Sequence, residues 1–274
     1  MSGMGSLVDV RWVEQHPAAR LVDLRWSPRG QAALERYREG HLPGAVFVDL
    51  DLDLAQAGGP GRHPFPPVER FAALLGRIGV EPTTDVVVYD DVNGSIAARL
   101  WFMLRVHGHL NAAVLDGGMK AWAAAGLPLS REQPSVLPVA PPKLVRDEQR
   151  LVDRAAVAAR APSALLLDAR SPERFRGEVE PIDKVAGHIP GAVNAPFTNN
   201  LGPDGRFKPP AELREQYLRL GADRASAVIA SCGSGVTACH DLLALELAGF
   251  PAARLYVGSW SDWSTSGEPI ATGT

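Results

Sequence analysis

Residues 40–46 read GHLPGAV, and residues 187–193 read GHIPGAV, at an offset of 147 residues (187 minus 40). A shorter apolar stretch repeats in the same order, since residues 21–25 read LVDLR and residues 166–170 read LLDAR. Motifs that recur in the same order are typical of a chain built from copies of one structural unit. We therefore expect two copies of one domain in this protein.

The repeat extends beyond these motifs, and a proline-rich stretch separates its two copies. Residues 85–122 match residues 226–263 at a constant offset of 141 residues (226 minus 85). Residues 133–142 contain four prolines, which remove amide donors and favour an extended chain. We predict a first domain of residues 1–133, a linker of residues 134–146 and a second domain of residues 147–274.

The composition is that of a globular protein with little charge bias. Hydrophobic residues make up 46% of the chain and the formal net charge is −3, so neither nucleic acid nor a membrane surface is an expected partner. No apolar run approaches the roughly 18 residues that a membrane span needs. The two cysteines, Cys232 and Cys239, are seven residues apart, which on a helix disfavours a disulfide between them. We expect two thiols and a cytoplasmic location.

Each copy alternates short apolar runs with stretches of helical length. Residues 164–167 and 227–230 read as buried parallel strands, while residues 210–220 and 236–248 read as amphipathic helices. The predicted fold class is therefore α/β, with a parallel sheet flanked by helices in each domain. Ligands of such sheets bind beyond the carboxyl ends of the strands, so chemistry is expected directly after residue 230.

The stretch after this strand, residues 231–238, reads SCGSGVTA and leads into a predicted helix. Two glycines allow a tight curl that points backbone N–H groups inward, and a helix start adds further unpaired N–H groups. We expect a Cys232 thiolate at the mouth of this loop, since such amides favour negative charge. Such a sulfur is suited to take up and pass on a sulfane sulfur. The alternative is a buried core cysteine, which is the role we expect for Cys239.

Two other uses of a reactive cysteine remain open. Cysteine phosphatases place an arginine six residues after the cysteine to hold phosphate, but Ala238 occupies that position here, which disfavours phosphoryl chemistry. A non-catalytic redox or binding module is compatible with Cys232 and a second thiol nearby, Cys239.

Together these motifs resemble the tandem-domain rhodanese family, and most of all its 3-mercaptopyruvate sulfurtransferase branch. The resemblance covers nearly the whole chain and rests on the paired GHxPGAV segments, the Asp-x-Arg strand ends and residues 232–237, CGSGVT. It implies two tandem rhodanese-like domains, of which the second is catalytic. In the first domain the offset of 141 residues places Asp91 where the second has Cys232. The resemblance implies no cofactor and no metal.

The resemblance also implies a set of site residues. Cys232 would be the nucleophile, and a relay of Ser234, His63 and Asp51 would assist proton transfer in the manner of a Ser–His–Asp arrangement. The loop residues Gly233, Gly235, Val236 and Thr237 would bind the anionic sulfur and the donor.

Arg174 matches the arginine with which the family binds the donor's carboxylate. The family has a second such arginine shortly afterwards, but residues 180–184 read EPIDK and contain none, so Lys184 is the candidate substitute.

The predicted reaction is sulfur transfer from 3-mercaptopyruvate to cyanide or a thiol, with thioredoxin among the candidate acceptors. The loop carries Gly233, Ser234 and Gly235 where thiosulfate-preferring relatives carry Arg and Lys, which favours the mercaptopyruvate donor. Thiosulfate as the donor, with the same persulfide mechanism, is the alternative.

Overall fold

The structure is a computed structural model that describes residues 4–27 and 32–274. The chain forms two compact units. The first unit comprises Met1–Ala55, Pro66–Asp147 and Asp204–Arg206, and the second comprises Gln56–Phe65, Glu148–Pro203 and Phe207–Thr274. Residues 56–65 thus belong to the second unit, although the predicted boundary at residue 133 assigns them to the first domain. One contact that ties them to the second unit is the hydrogen bond from the Arg62 backbone N–H to Ser261 Oγ, at 3.0 Å.

The first unit contains a parallel sheet with helices between its strands. Its strands are β1 (Leu7–Val8), β2 (Arg20–Asp23), β3 (Val46–Phe47), β4 (Val86–Tyr89) and β5 (Ala112–Leu115). Its helices are α1 (Val10–Gln15), α2 (Ala32–Glu39), α3 (Leu50–Asp53), α4 (Val68–Arg77), α5 (Ala97–Val106) and α6 (Gly118–Ala124). The five described strands lie in the order β1-β5-β4-β2-β3. Every residue of the central strands β4 and β5 is buried, as expected for a parallel sheet covered on both faces.

The second unit repeats this arrangement. Its strands are β6 (Leu151–Val152), β7 (Leu165–Asp168), β8 (Ala192–Asn194), β9 (Val228–Ser231) and β10 (Arg254–Tyr256). Its α-helices are α7 (Arg154–Ala158), α8 (Pro172–Arg176), α9 (Pro210–Arg219), α10 (Ala238–Leu247) and α11 (Ser259–Trp263), and its 3₁₀ helices are Glu148–Arg150 and Phe197–Asn200. The described strands are again parallel and lie in the equivalent order, β6-β10-β9-β7-β8. The predicted fold class is confirmed.

The proline-rich stretch between the repeats packs against the first unit. Val139 N–H donates to Gly76 O at 2.9 Å, and Asp147, which the prediction assigns to the second domain, belongs to the first unit and donates its N–H to Val106 O at 2.7 Å. The predicted linker is therefore bonded to the unit that it follows.

The two Asp-x-Arg motifs perform the same structural task in both units. The Arg25 guanidinium binds Asp23 Oδ2 at 2.8 Å and also donates to Gly40 O at 2.8 Å. Arg170 binds Asp168 Oδ2 at 2.7 Å and donates to Gly187 O at 2.7 Å. Each arginine thereby ties a strand end to the GHxPG turn, which explains why the two motifs recur together.

The helices are short in both units. Among the described residues the longest helices are α4, α5, α9 and α10, with 10 residues each. No helix in the described part of the chain has the length and apolar character to cross a membrane. The amphipathic pattern that we predict for residues 236–248 is wrong, because α10 is buried from Ala238 to Leu245 on all its faces. It packs against β9 and β10 on one side and α9 on the other.

Candidate active site

The loop after β9 holds the backbone of Cys232 on both sides. Its N–H donates to Ser259 Oγ at 3.1 Å, and its carbonyl accepts from Trp260 N–H at 3.0 Å. The next carbonyl, that of Gly233, accepts from Ser261 N–H at 2.9 Å. Cys232 is 2% exposed, so its side chain is buried in the loop. The start of α11 lies against the loop and covers the residue.

Gly235 gives this loop its tight curl. Its φ is +74°, a left-handed conformation that favours glycine. A Cβ at this position would also overlap the carbonyl oxygen of Val257. A residue with a side chain therefore does not fit at this point of the loop.

Cys239 lies in the first turn of α10 and has no exposed surface. Its Sγ donates to Gly235 O at 3.4 Å, which fits the core role that we predict for it. Neither Cys232 nor Cys239 forms a disulfide. Within residues 4–27 and 32–274, no group of three or more His, Cys, Asp or Glu side chains is placed to hold a metal ion.

The equivalent loop of the first unit corrects one prediction. In β2–β4 pairing Asp23 lies opposite Tyr89, and in β7–β9 pairing Asp168 lies opposite Ser231. The residues that follow, Asp90 and Cys232, are therefore equivalent, and not Asp91 and Cys232 as the constant offset of 141 residues predicts. The two loops differ by one residue in length between the strand and the first shared glycine, which shifts the correspondence.

The Asp90 carboxylate lies inside the loop of the first unit. Its Oδ1 accepts from the N–H groups of Val92 at 2.9 Å and Gly94 at 2.8 Å, and its Oδ2 accepts from those of Ile96 and Ala97, both at 2.9 Å. Asp90 is fully buried, and burial raises the pKa of this carboxyl against the opposing effect of the four N–H groups. The loop therefore directs four backbone N–H groups at the two carboxyl oxygens of one side chain.

Ser234 and His63 are brought together in the second unit. His63 Nδ1 lies 2.7 Å from Ser234 Oγ, a hydrogen-bonding distance. Ser234 is buried and His63 is half-buried. The residue two positions before His63, Gly61, has a φ of +79° and lies against Gly258 so closely that a Cβ would overlap its carbonyl oxygen. This contact and the bond from Arg62 N–H to Ser261 Oγ hold the histidine at the loop.

Asp51, the third predicted relay residue, belongs to the first unit. It lies in α3, where the Asp49 side chain accepts from the N–H groups of Asp51 and Leu52. Asp51 Oδ2 accepts from Trp26 Nε1 at 3.0 Å. Its predicted contact with His63 stays a prediction.

Arg174 is held by a carboxylate of its own chain. Its Nη2 binds Glu180 Oε1 at 2.6 Å and its Nε binds Glu180 Oε2 at 3.2 Å, a bidentate pair. Burial acts to raise the pKa of Glu180, but the hydrogen bonds and charge of Arg174 and the N–H groups of Asp183 and Ile182 outweigh it and lower that pKa. The expected carboxylate-binding arginine thus already contacts a carboxylate.

The segment after Glu180 contributes an acid to the site rather than a base. Lys184 is exposed, whereas the neighbouring Asp183 has a side chain that is 8% exposed. Asp183 Oδ1 forms an ion pair with Arg62 Nη1, and Asp183 Oδ2 lies 3.6 Å from Arg174 Nη2. The structure does not bring Lys184 together with the other predicted site residues.

Arg170 supplies positive charge next to the cysteine. It is buried, with its guanidinium carbon 4.8 Å from the Trp260 ring centroid. Burial acts to lower the pKa of Arg170, but the negative charges of Asp168, Glu180 and Cys232 raise it. A negative charge on the Cys232 sulfur would therefore be stabilised by the positive charge of Arg170.

The site residues that sequence reasoning missed include Arg62, Asp183 and Ser259. Arg62 directly precedes His63, so its proximity to the loop follows once His63 is placed there. Ser259 follows the last strand, an end of the sheet at which ligand-binding residues are expected. The sequence does not indicate Asp183, because a segment that is expected to bind an anionic substrate is not expected to place a carboxylate in the site.

Known proteins support this assignment of the repeats. A family profile described as Rhodanese-like domain matches residues 7–125 and residues 151–266. A Pseudomonas aeruginosa protein named "Probable 3-mercaptopyruvate sulfurtransferase" is 49% identical over 245 residues, which cover 86% of each chain. A thiosulfate sulfurtransferase from Rattus norvegicus is 34% identical over 281 residues, which cover 96% of this chain and 93% of the relative.

The fold agrees with that of a solved enzyme. The structure of SseA from Escherichia coli, a 3-mercaptopyruvate sulfotransferase, superposes with a TM-score of 0.81 at 34% identity. The superposition covers 94% of this chain and 100% of SseA. The chain therefore belongs to the rhodanese family and carries two rhodanese-like domains in tandem.

Proposed function

We propose that this protein transfers sulfur from 3-mercaptopyruvate to a thiophilic acceptor through a persulfide on Cys232. The reaction class is that of its relatives, and the chain is a sulfurtransferase. The single observation that supports the persulfide most is the Asp90 carboxylate at the equivalent position of the first repeat.

The comparison of Asp90 with Cys232 is chemical as well as positional. In aspartate the charged oxygens follow Cβ and Cγ, and in a cysteine persulfide the terminal sulfur follows Cβ and Sγ. Both side chains therefore place a negative charge three bonds from Cα. In the first unit the amides of Gly94, Ile96 and Ala97 bind that charge. The corresponding amides of the second unit, in residues 233–238 and including those of Gly233, Gly235, Val236 and Thr237, would bind the persulfide.

The first half-reaction forms the persulfide. The Cys232 thiolate attacks the thiol sulfur of 3-mercaptopyruvate, and a sulfur–sulfur bond forms while the carbon–sulfur bond breaks. The electron pair of the broken bond stays on the carbon and gives the enolate of pyruvate, which takes one proton to become pyruvate. The persulfide loses the thiol proton of the donor and becomes the anion Cys–S–S⁻. Arg174 binds the donor's carboxylate.

Ser234 and His63 are suited to handle these protons. The Ser234 hydroxyl lies at hydrogen-bonding distance from His63 Nδ1, so a proton can pass between donor and imidazole through the hydroxyl. Asp51 completes the proposed relay by orienting His63. This transfer supplies the proton that the enolate takes up.

The second half-reaction returns the enzyme to its starting form. A nucleophilic acceptor attacks the outer sulfur, the sulfur–sulfur bond breaks, and its electron pair restores the Cys232 thiolate. Cyanide becomes thiocyanate, and a thiolate becomes a persulfide. Because the acceptor has to reach a buried sulfur, a small acceptor such as cyanide or a small thiol is favoured, and thioredoxin is a further candidate. A cytoplasmic location is our further expectation.

One observation favours thiosulfate as a second donor. The guanidinium groups of both Arg62 and Arg174 lie beside Gly233, and two cations suit a dianion. The thiosulfate reaction would break the sulfur–sulfur bond of the donor and release sulfite, with the same persulfide on Cys232.

Steady-state transfer to cyanide tests the proposal. We expect a higher kcat/KM for 3-mercaptopyruvate than for thiosulfate, and loss of transfer from both in Cys232→Ser. Cys239→Ala is the matched control, since it removes the other thiol of the chain, and it is expected to retain transfer. Mass spectrometry after donor alone should show one added sulfur atom on Cys232. A preference for thiosulfate would show that the donor assignment is wrong. If the protein transfers no sulfur from either donor but forms a reversible Cys232–Cys239 disulfide, the alternative of a non-catalytic redox module is favoured.

A further inference from the structure

Ser261 lies in α11 and bonds to two separate segments of the candidate site. Its backbone N–H donates to Gly233 O at 2.9 Å, and its Oγ accepts from the Arg62 backbone N–H at 3.0 Å. Gly233 directly precedes Ser234, and Arg62 directly precedes His63. One residue therefore bonds to the neighbours of both members of the Ser234–His63 pair, which are 171 positions apart in the chain.

The Ser261 hydroxyl is fixed in the orientation that the bond from Arg62 needs. It donates its own hydrogen to Gly258 O at 3.0 Å, so its oxygen accepts the Arg62 N–H with a lone pair that points elsewhere. Ser261 is 8% exposed, and a Cβ added at Gly61 would lie 2.8 Å from Ser261 Oγ. The segment that leads to His63 is thus packed directly against this hydroxyl.

At the position of Ser261 the first unit carries a different kind of residue. The repeat offset of 141 residues, which also pairs Trp122 with Trp263, places Lys120 there. The Lys120 side chain is exposed, and an ammonium group cannot accept a hydrogen bond. The hydroxyl therefore belongs to the unit that carries Cys232 and is not a feature that the two repeats share.

The pair that Ser261 borders depends on a short distance. His63 Nδ1 lies 2.7 Å from Ser234 Oγ, and proton transfer needs heavy atoms about 2.6–3.2 Å apart. A displacement of ~1 Å from such a geometry can lower a rate about 10²-fold. A residue that fixes the spacing of the two segments therefore affects the rate, although it does not itself carry the proton.

From these contacts we infer that Ser261 is a positioning residue for sulfur transfer. It fixes His63 opposite Ser234 by holding the Arg62 backbone against the loop that carries Cys232. The inference rests on the proposed function, because it assigns a task within the relay that the proposed function uses. Ser261 acts through the backbone groups of neighbouring residues.

Kinetics of two serine variants test this role. Ser261→Ala removes Oγ but keeps the backbone N–H, and it should lower kcat for 3-mercaptopyruvate about tenfold, with a change in KM of less than about twofold. Ser266→Ala is the matched control, because Ser266 Oγ also donates to the carbonyl three residues earlier, at 2.7 Å, and also accepts one backbone N–H, that of Glu268. Its kcat should equal that of the wild type.

A double variant shows whether the effect passes through the histidine. In His63→Ala, the further substitution Ser261→Ala should not lower kcat, since the residue that it positions is already lost. A merely structural role would instead lower kcat by the same factor in both backgrounds, and this result would overturn the inference. An unchanged kcat in Ser261→Ala, or an equal loss in Ser266→Ala, would overturn it as well. Thermal unfolding shows that each variant is folded before its kinetics are compared.

The NMR signals of the His63 imidazole separate this inference from the proposed function, because they need no turnover. With ¹⁵N-labelled histidine, His63→Ala identifies these signals among those of the seven histidines, and Ser234→Ala gives the shift of Nδ1 that follows loss of its partner. Ser261→Ala should reproduce most of that shift, and Ser266→Ala should not. If it does so in a protein without turnover, Ser261 still positions His63 and only the proposed function fails. A wild-type Nδ1 signal in Ser261→Ala would refute the inference and leave sulfur transfer intact.

Discussion

Ser259 Oγ accepts a hydrogen bond from the Cys232 backbone N–H at 3.1 Å, and it does so from a strained backbone. The φ of Ser259 is +51°, in the left-handed region that residues with a side chain rarely adopt. The equivalent residue of the first unit, Gly118, has a φ of +52°. The second unit thus carries a serine where glycine would be relaxed, and such strain tends to persist at functional sites.

Replacing this serine should separate strain from hydrogen bonding. Ser259→Gly removes both the backbone strain and the hydrogen bond to Cys232. The free energy of unfolding should change by less than about 1 kcal/mol, because relief of the strain offsets the lost hydrogen bond. Ser259→Ala keeps the strain and loses the bond, and should be less stable than Ser259→Gly by about 1–2 kcal/mol. Both variants should lower kcat, since the nucleophile loses a positioning contact. Urea unfolding and donor kinetics measure these effects, and equal stability of the two variants would contradict the strain argument.

The Ser234–His63 pair should act as one unit. Ser234→Ala and His63→Ala are each expected to lower kcat for 3-mercaptopyruvate by about 10²-fold, which is the usual range for a proton-transfer group. The double variant should be little worse than either single variant, because the second substitution removes a partner that no longer works. His16→Ala, at an exposed histidine of the first unit, is the control. Fully additive losses would show that the two residues act independently.

The tight curl at Gly235 can be tested against a glycine with the same backbone. Gly235 and Gly126 have φ values of +74° and +72°, but only at Gly235 would a Cβ overlap another residue, Val257. Gly126→Ala should lower the free energy of unfolding by about 1 kcal/mol, because alanine is disfavoured in the left-handed conformation. Gly235→Ala should lower the free energy of unfolding by about 2 kcal/mol more than Gly126→Ala does, because the loop has to shift to accommodate the Cβ. The same shift should abolish sulfur transfer. Urea unfolding of the two variants gives the comparison, and equal losses would refute the overlap.

The pKa shifts of the two site acids have opposite signs and predict opposite pH effects. The lowered pKa of Glu180 means that its charge stabilises the fold above the unfolded value of ~4.3 and that this stability is lost as the pH falls through the folded value. Glu180→Gln should therefore be less stable than the wild type at neutral pH, with a deficit that shrinks below about pH 4. Denaturant unfolding between about pH 3 and 7 measures it.

The raised pKa of Asp183 means that its charge opposes folding once the pH rises above the unfolded value of ~3.9. Asp183→Asn should consequently lose less stability at neutral pH than Glu180→Gln, and its stability relative to the wild type should rise with pH. A larger loss in Asp183→Asn than in Glu180→Gln would contradict this assignment of the shifts.

The repeat and the fold were predictable because they depend on local chemistry. The short length and apolar composition of β9 predict a buried strand, and the length and periodicity of α9 predict a helix. The prediction failed at α10, where burial on all faces removes the polar stripe that the pattern was taken to contain. The predicted equivalence of Asp91 and Cys232 was also wrong. The two loops differ in length by one residue, and a constant offset does not account for such a difference, although it decides which residue follows the strand.

The sequence by itself determined that a cysteine follows a strand in the second of two repeated α/β domains, since glycines, apolar periodicity and motif order are properties of neighbouring residues. It also named Ser234, His63 and Arg174 as candidates through resemblance. Tertiary structure decided which side chains meet at that cysteine. The positions of Arg62 and Asp183, 121 residues apart in the chain, depend on how residues 56–65 bond to the second unit. Contacts between such distant segments result from packing, and no local pattern encodes them.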